Sequence, residues 1–243
     1  MTKAKAASGS TGADLARLRA ALRAVADPSR APAMQAYMKS EMPYYGVPSA
    51  ELRRVVRPLL RGMDFPGAEA WRNTVLFFWR NAQFREERYA AIELCLARQA
   101  APFQTLEALP MYEELIVTGA WWDFVDTIAS HCIGSLLRRF PREMSRHMRA
   151  WSRSSDMWKR RTSILCQLKF KKDTDLGLLY DCIEPSLASR EFFLRKAIGW
   201  ALRQHAWTDP GEVLRYVREH NGALSPLSRR EALKNLQGQG SVA

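Results

Sequence analysis

An acidic side chain inside an apolar helical stripe is the first chemical anomaly of this chain. Trp122 and Asp126 stand four residues apart, and at helical spacing they share a face with Val125, Ala129 and Ile133. A carboxylate beside an indole ring can stabilise a cation, one by its charge and the other by its π face. A second anomaly lies downstream. Met157, Arg161, Ile164, Leu165 and Leu168 recur at i, i+4, i+7, i+8 and i+11, which puts the Arg161 guanidinium inside an apolar stripe. A buried guanidinium without an anion costs roughly several kcal/mol of desolvation, so Arg161 requires a carboxylate of the chain or a bound phosphate. Arg160 and Lys169 flank the same segment and suit the phosphate. An Asp126–Arg161 pair that merely ties two helices together is the other reading, and spacing leaves both open. The third anomaly is Trp200. Leu194, Ile198, Ala201, Leu202 and His205 form one apolar stripe, and Trp200 falls about 200° from Ile198, among Phe193, Lys196 and Arg203. An aromatic ring rimmed by cations suits a nucleic-acid surface, and it equally suits packing against a further helical layer.

The helices that must hold these residues are legible in the periodicity. Apolar residues recur at helical spacing over 13–26, 31–41, 49–62, 66–81, 85–99, 105–118, 120–139, 141–153, 156–170, 174–184, 189–206, 210–220 and 226–237, with short breaks between and no sustained period-two alternation. Asp209 is placed to cap the helix entered by Pro210, with Glu212 positioned to reach back. Ser228 and Glu231 have capping-box spacing, which allows the last helix to begin at 228, and Asn221-Gly222 suits a left-handed helix end. Many amphipathic helices with short connections predict an all-α fold: a HEAT-like repeat solenoid of antiparallel helix pairs with a concave basic face, over residues 15–237. Residues 1–14 are small, polar and weakly basic and read as a flexible tail, as does 238–243.

Composition narrows the partners. The chain has 243 residues and a formal net charge of +12, with 28 Arg against 9 Lys. A charge that large favours a polyanion, and Arg presents a flat fork of donors that suits phosphate. Cys95, Cys132, Cys166 and Cys182 each lie within an apolar pattern and read as buried reduced thiols of a cytoplasmic protein. His131, His147, His205 and His220 are scattered without metal-ligand spacing, so no metal site is expected. The strongest apolar run, Val75–Trp79, is too short to span a membrane.

The same residues carry a family resemblance. The chain resembles the AlkD-like DNA alkylation repair glycosylases, a HEAT-like repeat family, from about Pro32 to Leu236. The likeness rests on Glu113-Glu114-Leu115-Ile116-Val117-Thr118 followed by Trp121-Trp122-Asp123 and Asp126, on Gln167-Leu168-Lys169-Phe170, and on Glu191-Phe192-Phe193. It continues in Lys196-Ala197-Ile198-Gly199-Trp200-Ala201-Leu202-Arg203 and in Pro226-Leu227-Ser228-Arg229-Arg230-Glu231-Ala232, and Met34-Gln35-Ala36-Tyr37-Met38-Lys39 fits near the start. The resemblance implies that Asp126 is the catalytic carboxylate and that Trp122 and Trp200 cradle the lesion nucleotide. It implies that Arg161 meets the DNA backbone nearby, with Tyr37, Lys169, Lys196 and Arg203 on the DNA face. It further implies hydrolysis of the N-glycosidic bond of cationic alkylated bases, of the 7-methylguanine and 3-methyladenine type, in double-stranded DNA. No cofactor is implied, and the base is not flipped into a protein pocket, unlike in most base-modifying enzymes. A monomer acting in the cytoplasm on nucleoid DNA is the simplest expectation. The competing readings are a non-catalytic HEAT-repeat DNA-binding protein and a protein-binding scaffold.

Overall fold

The computed structural model describes residues 2–236, with side chains from residue 11 onward. Among these residues every regular element is a helix. The chain divides into two compact units between Met111 and Tyr112. The first unit carries α1 (Thr2–Ala24), α2 (Ala31–Met38), α3 (Ser49–Arg61), α4 (Ala68–Arg80) and α5 (Arg85–Cys95). The division falls within α6 (Leu109–Gly119). The second unit carries α7 (Trp122–Thr127), α8 (Gly134–Arg139), α9 (Pro141–Ser152), α10 (Met157–Leu165), α11 (Leu176–Ile183), α12 (Phe192–Ala206), α13 (Pro210–Glu219) and α14 (Pro226–Leu233). This is the all-α, helical-repeat fold that the periodicity predicted.

Each helix forms because one face has somewhere to go. On α3, Leu52, Val56 and Leu60 recur every four residues and are buried; on α9, Met144, Met148 and Trp151, at spacings of four and three, are buried likewise. In the first unit α4 packs on α5 and α1 on α3. There the Glu86 carboxylate accepts from the backbone N–H groups of Tyr45, Gly46 and Val47 at 3.0, 3.0 and 3.1 Å. That carboxylate secures an extended connection that no regular ladder would satisfy. In the second unit α10 packs on α9 and α12, and α12 packs most closely on α14. Ile164, Leu165, Ile183, Leu194, Ile198, Leu202, Val213 and Tyr216 form the shared core.

Several boundaries differ from the sequence reading, each for a local reason. Helix α1 begins at Thr2 rather than residue 13, through a stretch containing Ala4, Lys5, Ala6 and Ala7, all good helix formers. The segment expected over 120–139 is helical only from Trp122, because Ala120 has a positive φ of 41° and Trp121 is extended, and it contains a π turn, Ile128–Ile133, between α7 and α8. Helix α10 stops at Leu165, five residues short of its expected end. Asp209 does cap α13, accepting from the Glu212 N–H at 2.9 Å. The Glu212 carboxylate does not reach back; it accepts from Tyr180 and Arg215. Helix α14 begins at Pro226, because Ser225 takes the cap by accepting from the Ser228 N–H at 3.0 Å. Gly222 is not left-handed: among the described glycines only Gly46 has a positive φ. The expected C-terminal tail, 238–243, lies outside the described residues.

Candidate active site

Arg161 joins three helices. Asp156 caps α10 by accepting from the N–H groups of Trp158 and Lys159 at 2.9 and 2.8 Å, and Arg161 follows just over one turn later. Its Nε donates to Asp126 Oδ1 at 2.7 Å and its Nη2 to Oδ2 at 2.8 Å, a bidentate bridge to α7. Its Nη1 donates to the Phe193 carbonyl in the first turn of α12. The internal ion pair left open by the spacing is therefore the arrangement that the chain adopts.

Pairing does not exhaust the carboxylate. The guanidinium side chain is 5% exposed and the carboxylate side chain 13%, so solvent reaches the acid more than the base. A carboxylate has about four acceptor sites, and Arg161 uses two. Burial pushes the Asp126 carboxyl above its ordinary value; the Arg161 hydrogen bonds and charge pull it back, and the nearby Asp123 charge adds to the rise. Trp122, one turn before Asp126 on α7, is half-buried.

An aromatic cluster that sequence reasoning did not single out lies beside the pair. The rings of Trp121 and Phe193 meet edge to face at 5.3 Å, those of Trp158 and Phe193 lie 5.0 Å apart, and Phe192 meets Phe193 at 5.4 Å. The Arg161 guanidinium sits 5.8 Å from the Phe193 ring centre. The residues come from three separate segments, so no spacing rule groups them.

The remaining candidates are distributed. Phe193, Lys196, Trp200 and Arg203 share one face of α12, as the periodicity required. Trp200 is half-buried and packs against the core of the second unit. Lys196 and Arg203 both pair with Glu231 of α14, at 2.9 and 2.8 Å, a partnership the sequence reading missed. Lys169 is exposed, with its Nζ 2.7 Å from His131 Nε2. Arg160 is turned toward Ser186 Oγ and the Pro185 carbonyl. Tyr37, on α2 of the first unit, is 77% exposed.

Two glycines set the helix spacing here. A Cβ on Gly199 would stand 2.5 Å from Glu231 Cβ and 2.7 Å from the Ser228 carbonyl oxygen, so its absence lets α14 reach Lys196 and Arg203. A Cβ on Gly134 would meet the Cys166 carbonyl oxygen at 2.7 Å, where α8 crosses the end of α10. All four cysteines are buried and free, and among the described residues no group of three or more His, Cys, Asp or Glu side chains could hold a metal ion. No described helix is long and apolar enough to cross a membrane.

Comparison with known proteins decides the family. The model of the DNA alkylation repair enzyme family matches residues 18–236, nearly the whole chain. The chain belongs to this family. A solved structure from Enterococcus faecalis, described as a predicted DNA alkylation repair enzyme, is 31% identical. It superposes with a TM-score of 0.79, covering 87% of this chain and 96% of the other. No curated protein matches the sequence. Family membership gives the chain a role in DNA alkylation repair and makes DNA its substrate class.

Proposed function

We propose that this chain is a DNA glycosylase hydrolysing the N-glycosidic bond of cationic alkylated purines in duplex DNA, without flipping the base into a pocket. Alkylation at guanine N7 or adenine N3 places positive charge on the base. When the C1′–N bond breaks, its electron pair returns to the base, which leaves neutral, so no strong general acid is required. The sugar becomes oxocarbenium-like. Asp126 stabilises that cation and orients a water, whose oxygen adds to C1′ while its proton passes to solvent. Trp122 and Trp200 hold the nucleotide through sugar and cation contacts with their π faces. Arg161 keeps the carboxylate aimed. Tyr37, Lys169, Lys196 and Arg203 contact the backbone, and the enzyme works as a monomer on cytoplasmic DNA.

The observation that supports this most is the state of Asp126: fixed by two hydrogen bonds, 13% exposed, and left with unused acceptor sites. The test is release of free base from a duplex carrying 7-methylguanine. Release by the parent and its collapse in Asp126→Asn support the reading; equal rates in the two refute the role of Asp126. The same ion pair favours a second reading, a non-catalytic DNA-binding repeat protein in which Asp126 is only a strut. That reading requires DNA binding with no base released by the parent.

A further inference from the structure

Seven residues beyond Trp200 stands Trp207, the C-cap of α12, still in helical backbone conformation and 67% exposed. At 100° per residue, Phe193, Lys196, Trp200, Arg203 and Trp207 fall within about 80° of one another on the helix. Ring and cation therefore alternate along one stripe. Its two cations are held along the α14 flank by Glu231. Successive rings are separated by seven residues, about 10.5 Å of helix rise. That is close to three nucleotide steps of a DNA strand, about 10 Å.

From this stripe we infer that Trp207 is a further DNA contact, packing its indole against the sugar-phosphate backbone of the duplex away from the damaged nucleotide. An exposed tryptophan alone could serve any partner. Interleaving with Lys196 and Arg203, continuity with the Trp200 face and a chain charge of +12 select a polyanion with an apolar sugar surface. The inference rests on the DNA-binding part of the proposed function and not on base release.

The experiment measures the affinity of the full chain for an undamaged duplex by fluorescence anisotropy, together with single-turnover base release at saturating 7-methylguanine duplex. Trp207→Ala is expected to bind about tenfold more weakly, Trp207→Phe to retain most of the affinity, and both to release base at the parental rate once saturated. Thermal melting close to the parent's shows that the fold is intact, as the exposure of the ring requires. Binding by Trp207→Ala within twofold of the parent overturns the inference. So does an equal loss in the alanine and phenylalanine variants, or altered self-association with unchanged DNA affinity. A parent that binds DNA without releasing base, yet loses affinity in Trp207→Ala, sinks the glycosylase reading and leaves this one standing.

Discussion

Replacing Arg161 by methionine separates the structural from the chemical part of the Asp126 pair. The substitution keeps an apolar stem and removes three donors: two to the Asp126 carboxylate at 2.7 and 2.8 Å and one to the Phe193 carbonyl. Removing one member of a buried pair strands the other, at a cost of ~3–5 kcal/mol. The carboxylate retains 13% exposure, so it can hydrate in part or take up a proton, which places the expected cost near the lower end, ~3 kcal/mol. For a chain of this size each kcal/mol moves the melting point by about 2–4 °C, so Arg161→Met should melt ~6–12 °C below the parent. The double variant Asp126→Leu/Arg161→Met replaces both charges with apolar groups and should recover most of that loss. Circular dichroism melts of the four proteins in the cycle give the coupling directly. A single variant within about 2 °C of the parent, or a double variant no more stable than Arg161→Met, refutes the strut argument.

Three other outcomes follow from the geometry. Burial raises the Asp126 carboxyl and catalysis needs its ionised form, so single-turnover base release should fall as pH drops through a value above the ordinary aspartate range. A flat rate down to pH 4 counts against the role of Asp126. Gly199→Ala forces a Cβ against Glu231 and the Ser228 carbonyl, and should destabilise by about 1–3 kcal/mol in denaturant titration, with weakened DNA binding because α14 carries Glu231. DNA affinity should fall steeply with salt, and Lys169→Met should reduce the slope of log K against log salt by about one; an unchanged slope removes Lys169 from the phosphate contacts.

Much of this was written in the pattern of apolar residues, and the exceptions are instructive. Helical periodicity located each helix from 31 onward to within a few residues, because each buries one continuous face. It also exposed Asp126 and Arg161 as charges in apolar stripes, and each turned out to answer the other. Spacing cannot report which distant residue completes a contact. Glu231 lies 35 residues from Lys196 and 28 from Arg203, so its hold on both became visible only once α14 was packed on α12. The Trp121, Trp158 and Phe193 cluster failed to register for the same reason. Local chemistry left the start of the last helix open between 226 and 228; Pro226 in the first helical position, capped by Ser225, settles the earlier start.

The π turn at Ile128–Ile133 has a consequence for how the helix it interrupts can be altered. A π turn accommodates about one residue more than an α turn, so the segment behaves as a helix with a spare residue. Removing that residue and restoring ordinary winding would leave the downstream helix in nearly the same phase, because the wide turn absorbs it. Rewinding the same number of residues as α-helix would instead rotate everything downstream by about 100° and swing Gly134 off the Cys166 carbonyl, while Asp126, upstream, would keep its bearing. The irregular turn is what keeps the two ends of this one rod in phase.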